Sequence, residues 1–292
     1  MLDIEAVEEA VETKTLEVAA SNGEQQLLSA LRALSLDELG DLYLSRPSSP
    51  ALSRLLPRLA PDQVQRDWTG SDGSKLMDTS KAFMRSVDAA SRHYTGNGLD
   101  GKTILDYGCG YGRLILMLYK YTSPDRIFGC DPWTESLRHC AEAGVQANLS
   151  LCEYVPTKAP FPPALFDIGY SFSVFTHLSE RTCKAVLDSV LPSMKPGSMF
   201  TVTVRPPEFW EFVQRFKPLQ GVTGRELLKA HLESGFAFYP EPDREPIDGD
   251  VTFGDTSISL GYIRDNWKEW RLLGTSHNEV DPMQILVHLT PA

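Results

Sequence analysis

Cysteine is sparse and unpaired: Cys109, Cys130, Cys140, Cys152 and Cys183 make five in 292 residues, an odd number with no C-x-x-C spacing. A disulfide-stapled scaffold is thereby excluded, and the five read as reduced packing residues. Basic charge is short as well. Lys and Arg number 28 against 39 Asp and Glu, for a formal charge of −11, and no basic cluster interrupts that balance. Nucleic acid and anionic lipid are expected to be repelled. Apolar runs are also short: the longest nearly uncharged stretch, residues 165 to 178, contains serine, threonine and histidine, well below the ~18 apolar residues a membrane span needs. The opening MLDIEAVEEAVE is acidic where a secretory leader would be basic and then apolar, so a cytoplasmic location without a membrane partner is expected. His93, His139, His231, His277 and His288 form no H-x-x-x-H, and no H-E-x-x-H occurs. No metal is expected.

The chain divides into three zones. In residues 1 to 100, apolar side chains recur at helical spacing (Ile4, Val7, Val11; then Leu27, Leu28, Leu31, Leu34), and Ser35 followed by Asp37 and Glu38 marks a helix start. A Pro/Ser-rich break, SRPSSPALSRLLPRLAP, crosses this zone, and GNGLDG at 96 to 101 closes it as a turn cluster. Residues 101 to 205 alternate β-type runs with helical patterns: TILDYG, a helix from about Gly112 to Tyr121, RIFGCD, a helix around Ser136 to Ala143, ANLSLCE, FDIGYSF, a helix through SERTCKAVLDSVL, and MFTVTVR. Repeated βα units predict a parallel sheet covered by helices on both faces. Residues 206 to 292 begin with a Pro- and aromatic-rich stretch read as irregular and end in two β-like runs, WRLLGTS and QILVHLT.

Ligands of open parallel sheets bind beyond the carboxyl ends of the strands. At one such end stands ILDYGCGYGRL, whose glycines Gly108, Gly110 and Gly112 give G-x-G-x-G and miss the dinucleotide fingerprint G-x-G-x-x-G by one position. A second string, Gly96, Gly101, Lys102 and Thr103, satisfies G-x-x-x-x-G-K-[ST], but it leaves a turn and enters a strand, whereas a phosphate loop leaves a strand and opens a helix. The third pattern is Asp106 leading the glycines, with Asp131 ending the next strand, RIFGCD. A carboxylate there can accept hydrogen bonds from both hydroxyls of a ribose and would repel a 2′-phosphate. Its other reading is a helix N-cap before PWTESL.

With ILDYGCGYGRL, GCDPW, FDIGYSFSVFTHLSE and LPSMKPGSMFTVTV in this order and at these spacings, the chain resembles the class I S-adenosylmethionine-dependent methyltransferases from about Lys102 to Arg205. The resemblance implies an α/β, Rossmann-like, seven-stranded, mostly parallel sheet whose last hairpin is antiparallel, and S-adenosyl-L-methionine as the methyl donor. It implies a donor site built from Asp106, Gly108, Cys109, Gly110, Gly112 and Asp131, with Ser171 and Phe172 of the fourth strand lining the methyl end. Glu153, beside Tyr154 after the third strand, would hold the adenine amino group; plain surface charge is the other reading. Trp133 is close enough to the ribose aspartate to stack on adenine, or is a core or interface residue. RDWTGSDG resembles a segment that closes over the donor in some bacterial methyltransferases, with Trp68 and Ser71 as contacts.

His177, in THLSE, is the histidine placed at a strand carboxyl end, on the acceptor's side. An imidazole there suits a general base for a hydroxyl acceptor; its alternative is a helix-start residue bonded to backbone. The N/D-P-P-Y string of amino-group methylation is absent. The expected activity is methylation of a small molecule or glycan, at a hydroxyl, with a donor-binding but catalytically silent module as the alternative class. The expected organisation is a helical region and donor-side lid over 1–100 and a methyltransferase domain over 101–292. That domain includes a substrate cap over 206–265; the reading leaves room for a homodimer and, in the silent-module alternative, for a larger assembly.

Overall fold

The computed structural model describes Leu16, residues 23–45, Leu52 and residues 55–292. The early helical stretch around Ile4, Val7 and Val11 lies outside the described residues, as does much of the Pro/Ser-rich break. Two helices open the described chain, α1 (Glu24–Ala33) and α2 (Leu36–Ser45). They bury Leu27, Leu31 and Leu39. The expected start at Ser35 is a reciprocal cap. Glu38 N–H donates to Ser35 Oγ at 3.1 Å, and the Glu38 carboxylate accepts from Ser35 N–H, so two otherwise orphaned helix-start donors are satisfied. Helix α3 (Asp62–Thr69) and the long α4 (Gly73–Thr95) lead into the sheet.

Strands β1 (Ile104–Tyr107), β2 (Ile127–Asp131), β3 (Asn148–Leu151), β4 (Phe166–Ser171), β5 (Met194–Val204), β8 (Trp270–His277) and β9 (Ile285–Pro291) form one sheet in the order β3-β2-β1-β4-β5-β9-β8. The first five run parallel, and β9 pairs antiparallel with both β5 and β8. This is the seven-stranded sheet with a terminal antiparallel hairpin that the resemblance implied. The central strand β1 is buried at all four positions, as a strand covered on both faces must be. Helices α5 (Arg113–Leu118), α6 (Thr134–Ala143) and α7 (Glu180–Val190) are the crossovers. The reversal of strand order between β1 and β4 places a crevice at the carboxyl ends of β1, β2 and β4.

The segment after β5 is more regular than expected. It holds α8 (Phe209–Phe216), α9 (Gly224–Ser234), an antiparallel pair of strands β6 (Phe236–Pro240) and β7 (Gly254–Ile258), and α10 (Leu260–Asn266). The turn chemistry was present in the sequence. Thr223 accepts from Glu226 N–H while the Glu226 side chain returns to Thr223 N–H, a complete capping box at the head of α9.

Gly274 marks where α4 meets the outer strand β8. A side chain there would put its Cβ 2.0 Å from the Tyr94 hydroxyl, beside the register shift between Leu272 and Gly274. Gly274→Ala is therefore expected to cost about 1–3 kcal/mol by overpacking. Part of that should be recovered in Gly274→Ala/Tyr94→Ala, both read by urea denaturation. Additive losses would mean that the contact does not limit packing.

Candidate active site

The glycine loop turns through left-handed backbone at Gly108, Gly110 and Gly112, with φ of 76°, 54° and 80°, conformations that glycine adopts without a Cβ penalty. Two of the three are also sterically closed: a Cβ at Gly108 would sit 2.5 Å from the Val174 side chain, and one at Gly112 3.1 Å from Cys140 Sγ. Gly110 is the exception, with open space where its side chain would be. The loop's bare side is therefore at Gly110. Gly108 and Cys109 N–H both donate to the Cys130 carbonyl, which pins the loop's first turn to β2. Cys109 and Cys140 lie against the loop with their thiols directed at the Gly110 carbonyl, as packing residues.

Asp131, at the end of β2, joins the two sides of the crevice. Its Oδ2 accepts from Gly110 N–H and its Oδ1 from Trp133 N–H, both at 2.9 Å. Both readings of Asp131 meet here, because the same carboxylate that faces the glycine loop organises the lead into α6. The Ser136 hydroxyl also acts on this carboxylate, which has acceptor capacity beyond these donors. Burial raises the Asp131 pKa, against the lowering effect of Trp133 N–H, Ser136 and Gly110 N–H.

Behind the loop, Asp106 is buried and its Oδ2 has no hydrogen-bond partner. Burial pushes its pKa up to about 7, opposed by the nearby Tyr170 hydroxyl and Arg113 guanidinium. Arg113, the first residue of α5, donates to Ser80 Oγ of α4 at 2.6 Å and lies over the Phe172 ring at 5.4 Å. No carboxylate oxygen bonds this guanidinium directly; Asp106 acts on it only through space. The Tyr170 hydroxyl faces Asp106 and the Tyr111 hydroxyl faces Thr69 and Arg113, but neither closes a hydrogen bond of good geometry. One end of the crevice thus combines a cation with spare donors, a carboxylate with a spare acceptor and an aromatic wall. That set is suited to a zwitterionic amino-acid group.

The other end is aromatic. Trp68 of α3 stacks on Trp133 at 4.6 Å between ring centroids and also touches Tyr111 and His139. The structure therefore brings Trp68 to the glycine loop and to Asp131's neighbour, while the contacts of Ser71 run from its backbone to the Thr69 hydroxyl. Glu153 sits otherwise. It is exposed, and its carboxylate accepts from Thr157 N–H at 2.9 Å and Thr157 Oγ1 at 3.1 Å, closing its own turn and holding its pKa below the usual value. Tyr154 is 43% exposed beside it. Ser171 is fully buried and donates to the Tyr107 carbonyl, so its side chain locks β4 to β1, whereas Phe172 faces Arg113.

His177 belongs to a separate cluster beyond β4 and β5. Its Nδ1–H donates to the Gly254 carbonyl at 2.8 Å, and its Nε2 accepts from the Arg205 guanidinium at 3.1 Å. Arg205 also donates to Asp255 at 2.7 Å and to the Thr176 carbonyl at 2.9 Å. Burial, then the Arg205 charge, lowers the His177 pKa to about 4 against a smaller raising effect of Asp255. The expectation of a base at His177 needs correction on this ground, since its one lone pair is occupied by a guanidinium N–H. Arg205, at the core's edge, was the more informative residue, and Asp255 is its partner from the inserted segment. Strand β7 continues the join: Gly254 N–H donates to the His177 carbonyl and Thr256 N–H to that of Thr176, at 2.8 and 2.9 Å. The GNGLDGKT string forms no phosphate loop. Thr103 N–H is used by Asp167 and Gly101 N–H by the Tyr121 carbonyl, and β1 follows rather than a helix.

Comparison with known proteins agrees with this architecture. Residues 104–197 match the family described as methyltransferase domain. Among curated proteins, a ubiquinone biosynthesis O-methyltransferase of Idiomarina loihiensis is 30% identical over 105 residues, which are 35% of this chain and 41% of that protein. The match thus spans about two fifths of that relative's length. Among solved structures, the PH0226 protein of Pyrococcus horikoshii OT3 superposes with a TM-score of 0.52 at 14% identity, over 73% of this chain and 91% of that one, a likeness of fold. Glycine loop, ribose-type aspartate, strand order and domain match converge: the chain carries a class I S-adenosylmethionine-dependent methyltransferase domain.

Proposed function

We propose that the protein transfers a methyl group from S-adenosylmethionine to a hydroxyl of a small molecule or glycan. The observation that carries the donor half is Asp131, fixed by two backbone N–H groups opposite the open side of Gly110. The pocket fits such a donor: Asp131 has lone pairs for the ribose hydroxyls, the unpartnered Asp106 Oδ2 suits an ammonium, and Arg113 suits a carboxylate. When bound, S-adenosylmethionine supplies a methyl carbon already activated on a sulfonium. Trp133 and Trp68 stand at the adenine end, and Phe172 at the sulfonium end. With the donor bound, transfer would form a C–O bond to the acceptor oxygen and break the C–S bond, the C–S electron pair going to sulfur and the hydroxyl proton passing to solvent water. What the protein contributes is alignment and exclusion of water.

A hydroxyl acceptor is supported by the absence of an amino-group methylation string after β4 and agrees with the O-methylation named in the Idiomarina protein. Residues 206–265 would cover the acceptor, because β7 is bonded to residues 176–178 directly beyond β4. His177 positions Arg205 and Asp255 within that cover and takes no proton.

Three measurements test this reading. Asp131→Ala should lose about 2–4 kcal/mol of S-adenosylmethionine binding, taking ~1–2 kcal/mol for each charged hydrogen bond, by calorimetry; unchanged affinity in a folded variant removes the ribose assignment. Trp68→Ala should cost about 1 kcal/mol of the same affinity, the scale of one aromatic pair. His177 should titrate in NMR well below the ordinary 6.5. Because its folded pKa is the lower one, it contributes stability that is present above pH 6.5 and is lost as pH falls toward about 4. A wild-type rate limb near pH 6.5 that disappears in His177→Asn would return the base role to this residue.

A further inference from the structure

Several buried polar atoms lack partners, and two of them belong to one pair of residues. Gln284 is 8% exposed and Asn278 2% exposed. One end of the Gln284 carboxamide is tied to Ser173 Oγ at 3.1 Å, while its Oε1 meets no partner. Asn278 Oδ1 caps the turn by accepting from Val280 and Asp281 N–H, leaving Nδ2 without one. A buried group of this kind needs a reason to persist, since an apolar residue would avoid its desolvation.

Register places the two together. The β8–β9 ladder ends at His277 opposite Ile285, and Asn278 N–H donates to the Gln284 carbonyl at 3.3 Å, continuing it by one pair. Residues directly opposite in an antiparallel pair project from the same face with Cβ atoms ~4.5–5.5 Å apart. Two residues along each strand, Ser276 and Leu286 share that face, and Leu286 lies in the same buried cluster as Phe83 and Phe172. The pair therefore faces the side of the sheet on which Arg113 covers Phe172.

Ser173 supplies an independent sign. It stands two residues beyond the end of β4 with φ 58°, one of three non-glycine residues in left-handed backbone among those described, and its N–H donates to Thr203 Oγ1 at 2.7 Å. Strain of this kind persists where surrounding structure holds a site in shape. Here what it holds in place is Gln284.

We infer that Asn278 and Gln284 form the subsite for the acceptor's hydroxyl group, an inference that rests on the methyl-transfer reading above. A hydroxyl can satisfy both from a single atom, its O–H donating to Gln284 Oε1 and its oxygen accepting from Asn278 Nδ2. A carboxylate has no proton for Gln284 and an ammonium no lone pair for Asn278; a neutral amine has both, and the missing amino-group methylation string disfavours it. The pair together with that absence favours an alcohol or phenol held beside Phe172. Water would take the same two bonds when no acceptor is present.

The test is a crystal structure of the full chain with S-adenosylhomocysteine, combined with methyl transfer from radiolabelled S-adenosylmethionine into a small-molecule extract of the source cells. One ordered water bridging Gln284 Oε1 and Asn278 Nδ2 at about 2.7–3.2 Å is expected. Gln284→Leu should bind S-adenosylhomocysteine within about threefold of wild type, with an undiminished thermal midpoint. It should also lower labelled product by ~100-fold or more, the discrimination expected when a paired hydroxyl loses its partner. The product should be a base-stable methyl ether. If the side-chain ends diverge or bond to protein, if Gln284→Leu retains wild-type labelling, or if the label is a base-labile ester, the subsite is overturned. Failure of wild type to bind S-adenosylhomocysteine would instead sink the methyl-transfer reading.

Discussion

The Asp131 carboxylate is the joint on which the donor crevice depends. One oxygen holds Gly110 N–H and the other holds Trp133 N–H, so a single side chain fixes the distance between the glycine loop and the start of α6. Besides this carboxylate, the loop is held by the buried Tyr111 ring against Trp68 and by Cys140 Sγ at the Gly110 carbonyl, while its backbone is left-handed at three glycines. Hydrogen bonds to a charged acceptor are stronger than neutral ones, and burial strengthens them further. Because both N–H donors are backbone, the joint survives almost any change in the intervening side chains. In the reading proposed above, the same carboxylate would also accept from the donor's ribose, so an element of the fold would double as an element of binding.

This explains which parts of the molecule were legible in sequence. The sheet, its order-reversing crevice, Asp106, Asp131 and the glycines follow from local backbone requirements: strands read from apolar runs, and glycine from turns that other residues cannot adopt. Glu153 and His177 were less readable because a side chain's partner is set by what the fold brings to it. Thr157, four residues on, takes the Glu153 carboxylate. Arg205, from the next strand, takes the His177 lone pair. Proximity to a strand end identified the neighbourhood of His177 but not its hydrogen bonds. The segment after β5 was underread for a different reason. Its hairpin joins residues 236–240 to 254–258 across a long connection, so neither strand has a nearby partner in sequence, although the Thr223–Glu226 capping box was visible.

The inserted segment meets the core through apolar residues such as Ile258 and Ile263, and is also stitched to it by polar groups. Arg205 and Asp255 are only 12% and 10% exposed at their side chains, and Thr176 and His177 carbonyls accept from β7. Ser179 adds a bond to Asp250 at 3.0 Å. An ion pair at this depth gains little net stability over a well-packed apolar contact, yet removing one partner is costly. Such a join specifies where the segment sits. For a methyl-transfer site that must exclude water, location matters more than adhesion.

The unpartnered polar atoms then fall into a pattern. Asp106 Oδ2, Tyr111 and Tyr170 hydroxyls surround Arg113 at one end of the crevice, and Asn278 Nδ2 and Gln284 Oε1 project from the β8–β9 turn beyond Phe172 and Ser173. Elsewhere, buried polar residues such as His231, Ser257 and Trp210 satisfy one another completely, with Ser257 Oγ bridging His231 Nδ1 and Trp210 Nε1 at 2.7 Å each. Among the described residues, open atoms occur elsewhere too, at Tyr43, Thr176, Ser198 and Trp270, but five of the nine lie at Asp106, Tyr111, Tyr170, Asn278 and Gln284. Each open group costs stability on the order of 1–3 kcal/mol, so a fold with only modest net stability can carry few of them. In the reading proposed above, a donor and an acceptor hydroxyl would supply partners for those five atoms.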